Sequence, residues 1–452
     1  MNTTPNRTTK KIAAMAGAGA AAIVLAVTGA FAAASLDGSS GTITSTTTSA
    51  SAAVTSDGSS ATGTISSALA DIDTHVGASD LTWDASEEQA ITLSDAGSTS
   101  SASGVSIDGS TITITEAGVY RLSGTLSDGQ VLVSVADTDQ VTLILDGVSI
   151  TNSAGTGIGI TEADEVTIYT AAGTTNAVSD GSSYEVADDT TPVAAIASAA
   201  DLTIAGEGTL NVTGRSNDGI NSKDGLAIVG GTLNVTATDD GIRGKDYVGI
   251  DTASVSVEAG DDGIKSDNAT DADRGWVLVT SGTVNVSAGD DGVKGEQALE
   301  VAGGTVTVDS SVEGFEAQRL TVSGGEVTIT ASDDGMNATA AEVSTDETET
   351  SAQPGGMGGG TESDDGSLLT ISGGTVTITA GSDGIDSNGS VALTGGTVSI
   401  TSANNGGEGA VDANGTITLD GASVTANGTA VTSADQLGTQ MGQGGPGGQG
   451  RR

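Results

Sequence analysis

The sequence predicts an all-β protein, a right-handed parallel β-helix built as a three-sided solenoid with a repeat of about 22 residues. Three observations lead there. The composition is strand and turn material, with 69 Gly, 4 Pro and only 2% aromatic residues in 452, and with abundant Thr, Ser, Val and Asp. A strand phrase of the Gly-Gly-Thr-Val-x-Val kind alternates with a turn phrase of the Asp-Asp-Gly-Ile kind. The turn glycines Gly219, Gly241, Gly263, Gly292, Gly314, Gly335 and Gly384 recur at near-constant spacing, broken only by insertions around 267–275 and 339–367. Insertions of this sort leave a solenoid at one corner.

One copy, 283–304, shows why the coil has three sides. It reads TVNV, then DDGVK, then ALEVAGG, which is three short strands separated by turns. Alternation with period 2 sends Val284, Val286, Leu299 and Val301 inward and their neighbours outward. Each strand then pairs with its equivalent one copy away, about 4.8 Å along the axis. The residues after the turn glycines, Ile220, Ile242, Ile264, Val293, Phe315, Met336 and Ile385, are predicted to stack as one interior column. The turn glycines are expected to serve left-handed backbone. A calcium-binding β-roll would need a nine-residue period, which the sequence lacks.

The ends have a different character. Residues 1–34 read as an export signal, with Arg7, Lys10 and Lys11 before an apolar run at 12–31 and small residues at Ala30, Ala32 and Ala34. Residues 35–78, rich in Ser, Thr and Ala, are expected to be a disordered spacer. That spacer holds His75, the only histidine, so His-dependent catalysis within the coil is not expected. The coil is predicted over 79–435, with the 339–367 loop disordered and a Gly-rich tail at 436–452. With no cysteine, there is no disulfide framework and no thiolate chemistry. The formal charge of −45 argues against nucleic acid and anionic membrane as partners of the mature chain. A secreted monomer is expected.

Because equivalent residues stack, columns can be read from the repeat. The residue before each turn glycine is Asp218, Asp240, Asp262, Asp291, Glu313, Asp334 or Asp383. Doubled acids occur at Asp239 with Asp240, Asp261 with Asp262, Asp290 with Asp291, and Asp333 with Asp334. Like charges stacked this closely repel and need neutralising. A turn needs one aspartate, so the doubled ones point to calcium, a hard cation that gathers carboxylate oxygens.

The lysines are the second signal. Beyond the export segment they are only Lys223, Lys245, Lys265 and Lys294, each close after a turn aspartate, with Arg243 among them. They are expected to lie on one face beside the acid column and to capture carboxylates of an acidic polymer. Local charge balance explains the same placement equally well. Of the nearby rings, Trp276 is expected to be a stacking platform and Tyr247 to pack at a corner.

The stretch ITEAGVYRLSGTLSDGQ at 114–130, VTLILDGVSITNS at 141–153 and the Asp-Asp-Gly-Ile-Lys turn together resemble the secreted carbohydrate-binding β-helix proteins, related in architecture to calcium-dependent pectate lyases. The resemblance implies binding of cellulose or acidic, pectin-like polysaccharide, with calcium in the turn region; a non-catalytic binding role is the first expectation. Two other functions fit the residues. A calcium-dependent polysaccharide lyase would need Lys245, Lys265 or Lys294 as a base near neutrality. A structural surface adhesin would present the polar column Asn211, Asn234, Ser256, Asn285, Thr307 and Thr328 to a partner or to ice.

Overall fold

Each copy of the repeat lays down three short strands, and each strand pairs in parallel with its counterpart one coil on. The structure, a computed structural model, describes residues 74–76, 81–183, 193–271, 273–341, 364–403 and 409–438. These form a parallel β-helix. The predicted export signal, most of the spacer, most of the 339–367 loop and nearly all of the tail lie outside the described residues.

Three faces follow from the register. On the first, Val212, Val235, Val257, Val286, Val308, Ile329, Ile378 and Ile400 are paired in succession. On the second, the predicted interior column from Ile220 to Ile385 is found in register. On the third, Leu226, Val248, Val277, Leu299, Leu320, Leu369 and Val391 stack in the same way. All three columns point inward and are buried. No coil covers its own apolar edge, so each depends on its neighbours and the stack is stable only as a whole.

The ends of the stack are closed by antiparallel pairs. Gln89–Ser94 pairs with Thr99–Ser100 at one end, and Ser423–Ala426 with Thr429–Val431 at the other. An antiparallel hairpin turns the chain back over an otherwise open coil edge. Leu437, placed by the sequence reading in the tail, is 3% exposed and belongs to the core.

Two kinds of glycine hold the corners, for different reasons. Gly231, Gly304, Gly374 and Gly396, each closing a Gly-Gly corner between the third and first faces, sit at φ between +74° and +78°, where a β-carbon is strained. The glycines of the repeated acid-Gly turn, from Gly219 to Gly384, are different, since none of these seven has a positive φ. A β-carbon on Gly263 would instead fall on the Val286 γ-carbon and 2.5 Å from the Gly292 carbonyl oxygen of the next coil. Close approach between coils, not left-handed backbone, therefore demands glycine there. Both insertions leave from one corner, between the second and third faces, after Ser266 and after Ala338.

Candidate functional site

The acid pairs sit at the corner between the first and second faces. Their inner members, Asp218, Asp240, Asp262 and Asp291, are at most 3% exposed, while Asp239 and Asp261 are half-buried and Asp290 is exposed. The inner carboxylates form a ladder with the backbone. Asp262 N–H donates to Asp240 Oδ1 at 3.2 Å, and Asp291 N–H donates to Asp262 Oδ1 at 3.0 Å. Burial pushes the carboxyl of Asp218 up to about 6 and those of Asp240 and Asp291 up to about 7.

Cations complete the neutralisation. Arg243, Lys265, Lys294 and then Glu316 form an outward column on the second face. Lys265 Nζ lies 2.6 Å from Asp262 and 3.7 Å from Asp240, and Lys294 Nζ lies 3.1 Å from Asp291 and 2.6 Å from Glu316. Arg243 reaches Asp240 at 3.6 Å and pairs with Asp267. Burial lowers the ammonium pKa of Lys265 and of Lys294, but the adjoining carboxylates outweigh it and both are raised. The expectation of one strip of five cations is corrected here. Lys223 and Lys245 lie beyond this column, at the next corner, because they follow the last residue of the short second-face strands.

Three groups of carboxylates bring ligand atoms within 4.8 Å of one another: Asp239, Asp240 and Asp261; Asp262, Asp290 and Asp291; and Asp291, Glu313 and Glu316. The first two contain six of the eight predicted metal ligands. Asp333 and Asp334 join no such group among the described residues. The coils flanking them carry Val312 and Ser382 where an outer acid would be needed. Glu316 was missed by the sequence reading, since it follows the turn phrase and is not part of it. Its signal was its register with Lys294.

The third face carries the rings. Tyr247 is not at a corner: it is 1% exposed, and its ring is stacked on Trp276 with centroids 4.5 Å apart and planes within 7°. His75 is the larger correction, for it is packed on this face and not free in a spacer. Its imidazole contacts Thr203 Oγ1 through Nε2 at 2.8 Å, Asp201 through Nδ1 at 3.1 Å, and the hydroxyl of Tyr247. Val76 and Leu81 bury themselves nearby with Ile144, Tyr169, Ala205, Ala227, Val229 and Leu278. Trp83 meets Tyr169 edge-on at 4.9 Å. The polar column of the first face is also in register, with Asn234 Nδ2 donating to Asn211 Oδ1 at 2.9 Å.

Fold and site together define a parallel β-helix with paired acids at one corner and aromatic rings on another face. A family model described as carbohydrate-binding domain-containing protein matches residues 108–366 and 315–444, and the chain belongs to that family. A carbohydrate-binding domain-containing protein of Acetivibrio thermocellus is 40% identical over 136 residues, which is 30% of this chain. The match spans about half of that relative, 48% of its length. A solved structure of a polysaccharide lyase-like protein from C. thermocellum, a gadolinium derivative, is similar at 32% identity and a TM-score of 0.48, covering 53% of this chain and 93% of that one.

Proposed function

We propose that this protein is a secreted, non-catalytic carbohydrate-binding β-helix that engages acidic, pectin-like or cellulosic polysaccharide and takes calcium at its paired-aspartate corner. The family match across residues 108–444 carries the reading. The groups Asp239, Asp240, Asp261 and Asp262, Asp290, Asp291 support the calcium part, since each offers three carboxylates to a cation that prefers oxygen ligands in flexible geometry.

A lyase would need a lysine able to give up its proton near neutrality. The carboxylates around Lys265 and Lys294 work against that, holding both ammonium groups charged despite burial. The lysines therefore act as fixed cations of the corner, and binding without bond cleavage is the better reading.

Affinity electrophoresis in gels containing polygalacturonate or a soluble cellulose derivative, run with calcium and with chelator, tests it. Retardation in at least one gel is expected, stronger with calcium in the acidic gel. Migration unaffected by either polymer, or a steady rise in unsaturated-uronate absorbance on incubation, would overturn the proposal.

A further inference from the structure

The outward column of the third face runs Tyr247, Trp276, Ala298, Arg319, Leu368, Ser390, one residue per coil. Tyr247 covers one side of the Trp276 indole. The other side looks along the axis to the next coil, where the column offers only the methyl of Ala298. With coils about 4.8 Å apart, the ring stack that begins with Tyr247 and Trp276 lacks its next member, and a step one ring deep stands above Ala298. Trp276 and Ala298 are both partly open to solvent.

The far side of that step is unusual for this chain. Arg319 is exposed and, like Arg215, enters none of the ion pairs among the described residues, whereas Arg121, Arg243 and Arg274 are each paired. The carboxylate on the neighbouring column, Glu300, accepts a hydrogen bond from Ser323 Oγ at 2.6 Å. Beyond Arg319 lies Leu368, 40% exposed, the one large hydrophobic side chain left in water among the described residues. In a protein with a formal charge of −45, an exposed guanidinium two coils along from a part-exposed indole is complementary to an anion that also has an apolar side.

We propose that the step over Ala298 is a subsite for one sugar residue bearing a carboxylate, its ring face against Trp276 and its carboxylate held by the Arg319 fork. The subsite rests on the carbohydrate-binding reading and deepens it. It needs no metal, because the guanidinium supplies the positive charge. It is also separate from the aspartate corner, which belongs to a different edge of the coil.

The test is titration calorimetry of the intact chain with an oligogalacturonate and a cello-oligosaccharide of equal length, in calcium and in chelator. Ala298→Tyr should fill the step with a third ring at a position where the coil already carries two, and should reduce oligogalacturonate affinity roughly tenfold or more without lowering the melting temperature. Arg319→Gln should cost roughly tenfold for the charged oligomer and nothing for the neutral one, with Arg319→Lys between, since an ammonium lacks the fork. All three losses should persist in chelator. Parent-like affinity in Ala298→Tyr overturns the subsite. Loss in Ala298→Tyr with full affinity in Arg319→Gln overturns the anionic assignment. If the parent binds and only aspartate-corner substitutions weaken it, the subsite fails while the carbohydrate-binding function stands. If the parent binds neither oligomer, both fall.

Discussion

His75 and Tyr247 are 172 positions apart in the chain, yet the His75 backbone N–H donates to the Tyr247 hydroxyl at 2.9 Å and the two rings lie with centroids 5.7 Å apart. This contact ties a segment that precedes the first coil to the middle of the third face. Thr203 Oγ1 donates to Glu165 at 3.0 Å and also contacts the imidazole, so the polar groups beneath His75 are partnered by one another and by it. Val76 and Leu81 add apolar burial alongside.

Tyr247→Phe keeps the ring stack but removes the acceptor for the His75 amide. A loss of about 1–2 kcal/mol is expected, the usual cost of leaving a part-buried donor unpaired. It should be read as a lower urea midpoint at unchanged slope, together with greater acrylamide quenching of tryptophan as the segment loosens. Unchanged midpoint and quenching would mean that the segment does not dock in solution.

The coil was legible in the sequence because stacking makes every inward position repeat, so that Ile220 and Ile385, 165 positions apart, announce one column. The acid corner was legible for the same reason. The His75 contact was not, because nothing periodic marks it and the surrounding Ser, Thr and Ala residues give no apolar pattern. The cation strip was half legible. Lys265 and Lys294 are in register, but Lys223 and Lys245 stand beyond the ends of strands only a few residues long, and counting along the chain does not reveal where a corner falls. The step over Ala298 was invisible, since it consists of a side chain that is too small.

The steric reading of the Asp-Gly corner predicts the effect of a single methyl. Gly263→Ala places a β-carbon against Val286 and the Gly292 carbonyl, and the backbones of two coils must separate to admit it. A loss of about 1–3 kcal/mol, typical of overpacking, is expected. Phe315→Ala, which empties the largest place in the second-face column, should cost about 3–5 kcal/mol. Denaturant titrations check both, and a neutral Gly263→Ala would show that the corner has slack.

Stability of the metal-free protein should fall as pH rises. Asp218, Asp240 and Asp291 have carboxyl pKa values raised by burial to about 6 to 7, above those of an unfolded chain. Between about pH 4 and 7 the folded state thus holds more protons than the unfolded state, and the stability present below pH 4 is lost as the pH climbs through the folded values. Glu88, whose hydrogen bond with Arg121 lowers its pKa, acts in the opposite sense, but only in the acid range below the usual carboxylate value. Melting temperature in chelator should therefore drop from pH 5 to pH 8. Millimolar calcium should flatten or reverse that slope, because the ion needs the same groups deprotonated. A melting temperature independent of pH in chelator would remove the strain attributed to the corner.

Lysine and calcium claim the same oxygens, which makes their competition measurable. Lys265 Nζ contacts Asp262 at 2.6 Å and Asp240 at 3.7 Å, and these two carboxylates belong to the two candidate calcium groups on either side of it. Lys265→Met keeps most of the aliphatic stem and deletes the charge, taking from Asp262 its lysine partner and leaving Asp240 with Arg243 alone. In chelator the variant should be less stable than the parent, by up to about 3 kcal/mol, the low end for breaking a buried pair, because the lysine is itself part-exposed. Calcium should then stabilise the variant more than the parent, since the ion no longer displaces an ammonium, and the gain follows RT ln(1 + [L]/Kd) with a smaller Kd. Replacing Asp261, Asp262, Asp290 and Asp291 by Asn should abolish the calcium response in both backgrounds. If Lys265→Met loses stability in chelator but gains no more from calcium than the parent does, the ion does not sit among these carboxylates, and the ladder of lysines and protons neutralises the corner unaided.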